Sequence, residues 1–302
     1  MLIECGGFKI LTDPWITGIA GGRYVHEPPL KTPVEQIADV DLIILSHAHP
    51  DHFNRPSLEL LNRRAAVIVP RHFGETEDNP TLDIGWRNPD LAREIRELGF
   101  EEVLEIGPWG EVEIDNGIRV TSAGSHHDHF PEMGFLVTDG QTTLYNGVDT
   151  WPGEPELRRV GAAAPDVAFL PFRFYIPPAL WTPIELPDEE RARAIAETQA
   201  RFRWVGPLRA TYAAGALGVK AVVPGSEGFR DILPSRQAYG TAEGANYHEV
   251  CVGDREDFVT LVRRHLPQVD VAALAPGDRW DRSAGFQTDG AELQAAVHES
   301  VR

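Results

Sequence analysis

The run Leu42-Ile43-Ile44-Leu45 passes without a polar residue into Ser46-His47-Ala48-His49-Pro50-Asp51-His52. A strand that is apolar at every position is buried on both faces, so its sheet must carry structure on either side. Short β-branched runs bounded by turn residues continue this pattern through the first half of the chain. Residues 2–5 and 8–11 read as a hairpin around Gly6-Gly7, and residues 66–69 and 167–170 as further buried strands. Asp139-Gly140 reads as a two-residue turn between strands 135–138 and 142–145. Helices are predicted over 56–64, over 90–98 behind an Asn88-Pro89 start, and over 188–204, 208–217 and 254–266, with a last one from about Gly290. Residues 17–30 and 226–246 read as loops, and 269–274 as a strand. Strands mixed with helices in both halves predict an α/β fold in which two mixed β-sheets pack together with helices outside, in one domain over 1–302.

The polar continuation of the 42–45 strand carries the chemistry. His47 and His49 are two apart, so in an extended segment they project to the same side. Asp51 and His52, turned by Pro50, reach a neighbouring point. One cation can take the first pair and a second cation the other, an arrangement that suits Zn2+ with its imidazole and carboxylate ligands. The formal charge of −18 argues against a nucleic-acid backbone or an anionic membrane surface as partner, since both require basic patches. No apolar run is long enough to span a bilayer, the first residues do not read as a signal peptide, and two cysteines make no disulfide framework. A cytoplasmic protein acting on a small molecule is the expectation.

His47-x-His49-x-Asp51-His52 behind a buried strand resembles the metallo-β-lactamase fold superfamily. Gly6-Gly7-Phe8-Lys9-Ile10-Leu11-Thr12-Asp13-Pro14-Trp15 and Val40-Asp41-Leu42 extend the likeness. The layout is similar to the branch with L-ascorbate-6-phosphate lactonase, N-acylphosphatidylethanolamine phospholipase D and the CMP-N-acetylneuraminate hydroxylase-like proteins. The resemblance covers about 2–280. It implies a four-layer αββα sandwich, and the residues beyond it, about 281 to 302, read as a helical tail. It also implies a third imidazole for the first metal, which the strand register in Val120-Thr121-Ser122-Ala123-Gly124-Ser125-His126-His127-Asp128-His129 assigns to His127. His126 is its neighbour and His129 a proton donor at the cavity mouth. Asp149 in Tyr145-Asn146-Gly147-Val148-Asp149 is the implied bridging carboxylate, and Asp13 holds the metal loop by hydrogen bonds. The departure is Ser226, which stands where the family's closing histidine is expected, with Glu227 and His248 as substitutes. The second metal is therefore expected to be the more weakly held.

His47, His49 and His127 would thus hold one ion and Asp51, His52 and Asp149 the other, with Asp51 and His129 as the catalytic acid–base groups. The expected cofactor is Zn2+, one or two ions, with Mn2+ and iron as alternatives. Water activated by such a metal would hydrolyse an ester, lactone, amide or phosphodiester. An iron-dependent oxygenase and a non-catalytic metal-binding protein are the two rival readings. His72, after the 66–69 strand, falls on a candidate active-site edge, and it reads at least as well as a surface residue or as one that touches the site's ligands from outside.

Overall fold

The computed structural model describes residues 1–30, 32–73, 89–114, 117–124, 131–176, 187–225, 228–232 and 251–288. The chain opens with β1 (Leu2–Cys5), β2 (Phe8–Thr12), β3 (Tyr24–His26), α1 (Val34–Ile37), β4 (Leu42–Ile44), α2 (Arg55–Leu58), β5 (Ala66–Pro70), α3 (Leu91–Glu97) and β6 (Val103–Ile106). Apart from β3, these strands form a five-stranded sheet in the order β1-β2-β4-β5-β6. β1 and β2 are antiparallel, and the pairs from β2 to β6 are parallel.

There follow β7 (Glu111–Ile114), β8 (Ile118–Ala123), β9 (Gly134–Thr138), β10 (Thr143–Asn146), α4 (Glu154–Ala162), β11 (Val167–Pro171), β12 (Phe174–Tyr175), α5 (Asp188–Phe202), α6 (Val205–Leu217) and β13 (Ala221–Gly225). Last come β14 (Phe229–Asp231), β15 (Cys251–Val252), α7 (Arg255–His265), β16 (Asp270–Val271), β17 (Arg279–Asp281) and β18 (Gly285–Gln287). Seven of these strands make the second sheet, in the order β16-β13-β11-β10-β9-β8-β7.

Alternating side chains along the first sheet explain the four layers. Ile10, Leu42, Ile44 and Ile68 point inward and pack on Ile118, Val120, Phe135 and Val137 of the second sheet. Leu11, Ile43, Leu45, Val67 and Val69 point outward and are covered by Leu58 of α2 and by Leu91, Ala92 and Ile95 of α3. On the far side, Leu136, Ala168, Leu170 and Val222 of the second sheet meet α4, α6 and α7 through Leu157, Ala210, Ala214, Phe258 and Val262. Both sheets are buried on both faces, as an αββα sandwich demands.

Several local expectations are corrected. Helix formation after Asn54, whose side chain accepts from the Ser57 N–H at 3.1 Å, stops at Leu58 instead of reaching 64. The cap of α3 is Asp90, accepting from Arg93 N at 3.1 Å, so Pro89 precedes the cap; Asn88 lies outside the described residues. Thr138 pairs with Thr143, which makes the 139–142 connection four residues long. Its shape is set by the Asp139 carboxylate, which accepts from the N–H groups of Gln141 and Thr142 at 2.9 and 2.7 Å. The 17–30 loop contains β3, paired with β14. The 269–274 strand contracts to β16, and residues 279–287 form a hairpin where a helical tail was expected. That hairpin brings Trp280 and Phe286 against Val167, Ala221 and Val223. The last predicted helix, at 290 and beyond, lies outside the described residues.

Candidate metal centre

The first sheet delivers its histidines through a loop that three anchors fix. Past β4, Leu45 N still donates to Ile68 O at 2.9 Å, and Ser46 O accepts from Met133 N at 3.1 Å, tying the loop to the segment that enters β9. The third anchor is Asp13, at the end of β2, whose Oδ1 accepts from Ser46 N at 2.8 Å and whose Oδ2 accepts from Ser46 Oγ at 2.9 Å. Asp13 has φ +43°, a left-handed conformation that its short polar side chain tolerates. Because Ser46 gives its one hydroxyl proton to Asp13, its oxygen is an acceptor for His47 Nδ1, 2.8 Å away. That assigns the proton to Nδ1 and leaves the Nε2 lone pair of His47 for a ligand.

His47 is fully buried. Its Nε2 lies 2.7 Å from His49 Nδ1, and its ring centroid is 4.1 Å from those of both His49 and His52. His52 and Phe53 N–H groups donate to His49 O at 2.9 and 2.7 Å, which turns the chain tightly enough to bring the third ring back. Asp149 arrives from the second sheet, after β10. Val148, buried with φ +50°, turns it there; a β-branched residue in that region carries strain of about 1–3 kcal/mol. Asn146 Oδ1 secures the turn by accepting from Val148 N at 3.0 Å. Asp149 Oδ2 is then 3.8 Å from His47 Nε2 and 3.4 Å from His52 Nε2. His52 also lies 3.2 Å from Asp13 and 3.5 Å from Asp51.

One donor atom each from His47, His49 and Asp149 fall within 4.8 Å of one another. Two imidazole nitrogens and a carboxylate oxygen converging at one partly buried point fit a divalent metal of the zinc, manganese or iron type. Asp149 stands between this group and His52. His126, His127 and His129 lie outside the described residues, as do Ser226, Glu227 and His248; β13 carries the chain to Gly225, one position before Ser226. His72 follows β5 at the same sheet edge as His47, with both ring nitrogens buried and no hydrogen-bond partner among the described residues.

Sequence reading missed Glu132. It is buried, and its Oε1 is 4.0 Å from His47 Nδ1, on the side away from the ligand nitrogen. A carboxylate on that side favours the tautomer already fixed by Ser46. The available signal was an acid set alone between Pro131 and Met133 at the start of an apolar strand.

Burial works against a charge on His52, but Asp51, Asp149 and Asp13 outweigh it and hold its pKa well above the ordinary 6.5. Burial, opposed by His52, also pushes the Asp51 carboxyl up from 3.8. Both groups bind protons more tightly folded than unfolded. Their contribution to the metal-free fold is therefore complete below the ordinary values and is lost as pH rises through the raised ones. A cation that took these two groups as ligands would displace the same proton and gain over that climb. The rise in Tm on adding Zn2+ is expected to be larger at about pH 8 than at about pH 6. Equal shifts in the two scans would show that His52 keeps its proton when metal binds.

A family described as "Beta-lactamase superfamily domain" matches residues 9–205. Among curated proteins, the chain is 33% identical over 129 residues to a cytidine monophosphate-N-acetylneuraminic acid hydroxylase of Asterias rubens, covering 42% of this chain and 18% of that protein. It is 28% identical over 235 residues to a putative Rieske 2Fe-2S iron-sulfur protein of Mycolicibacterium smegmatis, covering 74% and 41%. The chain thus spans less than half the length of these relatives. Among solved structures, an isothiocyanate hydrolase from Delia radicum gut bacteria superposes with a TM-score of 0.55 at 17% identity, covering 91% of this chain and 93% of that one. CmlA, a diiron β-hydroxylase from Streptomyces venezuelae, gives 0.54 at 17% identity, covering 90% and 50%. At these identities the structural likeness speaks for the fold alone.

Proposed function

We propose that this chain, which belongs to the beta-lactamase superfamily, is a metal-dependent hydrolase of a small molecule, working as a single domain in the cytoplasm. The observation that carries the reading is the convergence of His47, His49 and Asp149 on one point beside His52 and Asp51. In this reading His47, His49 and His127 hold one ion, and Asp51, His52 and Asp149 hold a second. A bound divalent ion supplies Lewis acidity, lowering the pKa of water and polarising a carbonyl or phosphoryl oxygen. The chain's residues do the rest. Asp13 and Ser46 hold His47 in the tautomer that presents Nε2. Asp51, with its carboxyl raised by burial, can take up a proton at the edge of the cluster. His129 is the group proposed to protonate the leaving atom. No helix among the described residues is long and apolar enough to cross a membrane.

A second reading, an iron-dependent oxygenase, is favoured by the identity to a hydroxylase over 129 residues. Elemental analysis of the purified protein, combined with two assays, separates the two. Zinc or manganese with turnover of ester or phosphodiester reporters is the expected result. Iron with O2 consumption in the presence of a reductant, and no reporter turnover, would replace the first reading by the second.

A further inference from the structure

A cavity of about 380 Å³ adjoins the cluster on its Asp51 side. Asp13 and Asp51, both beside the His52 ring, line it, and Trp15, His26, Leu274 and Arg255 contribute to its wall. Trp15 and His26 are stacked at 3.9 Å with 28° between their planes, and His26 Nε2 is bonded to Trp15 O at 2.8 Å, so this part of the wall is rigid. Trp15 is 9% exposed, and its indole N–H is buried without an acceptor among the described residues. Arg255 begins α7, and its one ion-pair neighbour among the described residues, Glu256, stands off at 3.8 Å. Arg23, Arg55 and Arg203 are by contrast each in hydrogen-bonded pairs with Asp231, Glu94 and Asp257. In a chain with a net charge of −18, a cavity wall that carries both a half-exposed guanidinium and a buried indole N–H offers two donors to an anion.

We propose that this cavity receives the substrate and that Arg255, with the Trp15 indole N–H, holds an anionic group on it, a carboxylate or a phosphate. The acidic end of the cavity, at Asp13 and Asp51, would repel such a group, so the anion lies on the Arg255 side and the reacting bond is presented to the cluster. Guanidinium recognises either anion through paired, charge-assisted hydrogen bonds. The inference rests on the metal-dependent enzyme reading for the word substrate, but its test measures binding and needs no turnover.

Benzoate, phenyl phosphate and the neutral benzamide form a matched set of probes for calorimetry on the metal-loaded protein. At least one anion is expected to bind about tenfold or more tightly than benzamide. Arg255→Gln should remove about that factor for the anion while leaving benzamide unchanged, and Arg255→Lys should retain part of it. Trp15→Phe should give a smaller loss. Metal content and unfolding temperature of each variant are measured alongside, and Arg255 is exposed enough for the substitution to leave both unaltered. Preference for benzoate assigns a carboxylate, and preference for phenyl phosphate assigns a phosphate. Anion affinity unchanged in Arg255→Gln would overturn the proposal, as would equal binding of all three probes or binding of neither anion. Absence of hydrolysis with any reporter would remove the hydrolase reading and leave this result standing.

Discussion

Alanine at both His47 and His49 is expected to strip the protein of tightly held metal while leaving it folded. The two rings supply the pair of nitrogens that meet at 2.7 Å, and with both gone the Asp149 carboxylate has no imidazole left in its three-membered group. Loss of two such donors should lower affinity by about a thousandfold or more, from the size of zinc–ligand contributions. Folding should survive because neither side chain belongs to the sheet. Ile43 and Leu45 still fill the outer core, and Ser46 still bonds to Asp13 through its backbone and hydroxyl. The emptied space of a fully buried ring costs about 1–3 kcal/mol. Metal content by mass spectrometry and circular dichroism of the same sample give the answer. Metal retained at the level of the unaltered protein would mean that the cluster is not where the ion sits.

Gly206→Ala should destabilise the fold strongly while leaving the cluster alone. Gly206 is the second residue of α6, and a Cβ there would lie 2.0 Å from Phe172 O and 2.8 Å from Phe172 C. Those are backbone atoms just past β11, so no rotamer change relieves the clash. Gly253 presses on the same carbonyl, its virtual Cβ 2.7 Å away, and the fully buried Phe172 ring is stacked with Phe258 of α7 at 6.3 Å. The helix must back away from the sheet, at a cost of about 3 kcal/mol or more and a fall in Tm of about 10 °C. Gly215→Ala is the matching control in the same helix, where the nearest atom is the flexible Leu266 side chain at 3.2 Å. There the gain in helix propensity offsets the crowding. Thermal unfolding of the two variants side by side decides, and equal Tm values would show that α6 does not approach Phe172 this closely.

What could be read from sequence was what local periodicity controls. The unbroken 42–45 run announced a doubly covered strand, and its alternate residues do face two cores. Asp254 and Gly218 marked helix ends by residue type, one as a side-chain cap and the other in the left-handed conformation. The pairing of β3 with β14 joins residues about two hundred positions apart, and nothing local in 17–30 points to it. The approach of Asp149 depends on a left-handed valine, which residue preference argues against. Glu132 and Arg255 acquire their meaning only from neighbours that the fold supplies. The histidine run was legible because all of its members sit on one short segment, while their partners come from β2 and β10.

That division bears on time as well as on shape. Parallel pairings such as β2–β4 and β10–β11 need crossover connections, and such non-local contacts slow folding. His47, His49 and His52 belong to the first sheet and Asp149 to the second, so the acid meets the imidazoles only once the two sheets have closed. Until then the imidazoles stand without the carboxylate that completes their group. The three-donor group is therefore a product of sheet closure, and any opening that parts the two sheets takes it apart.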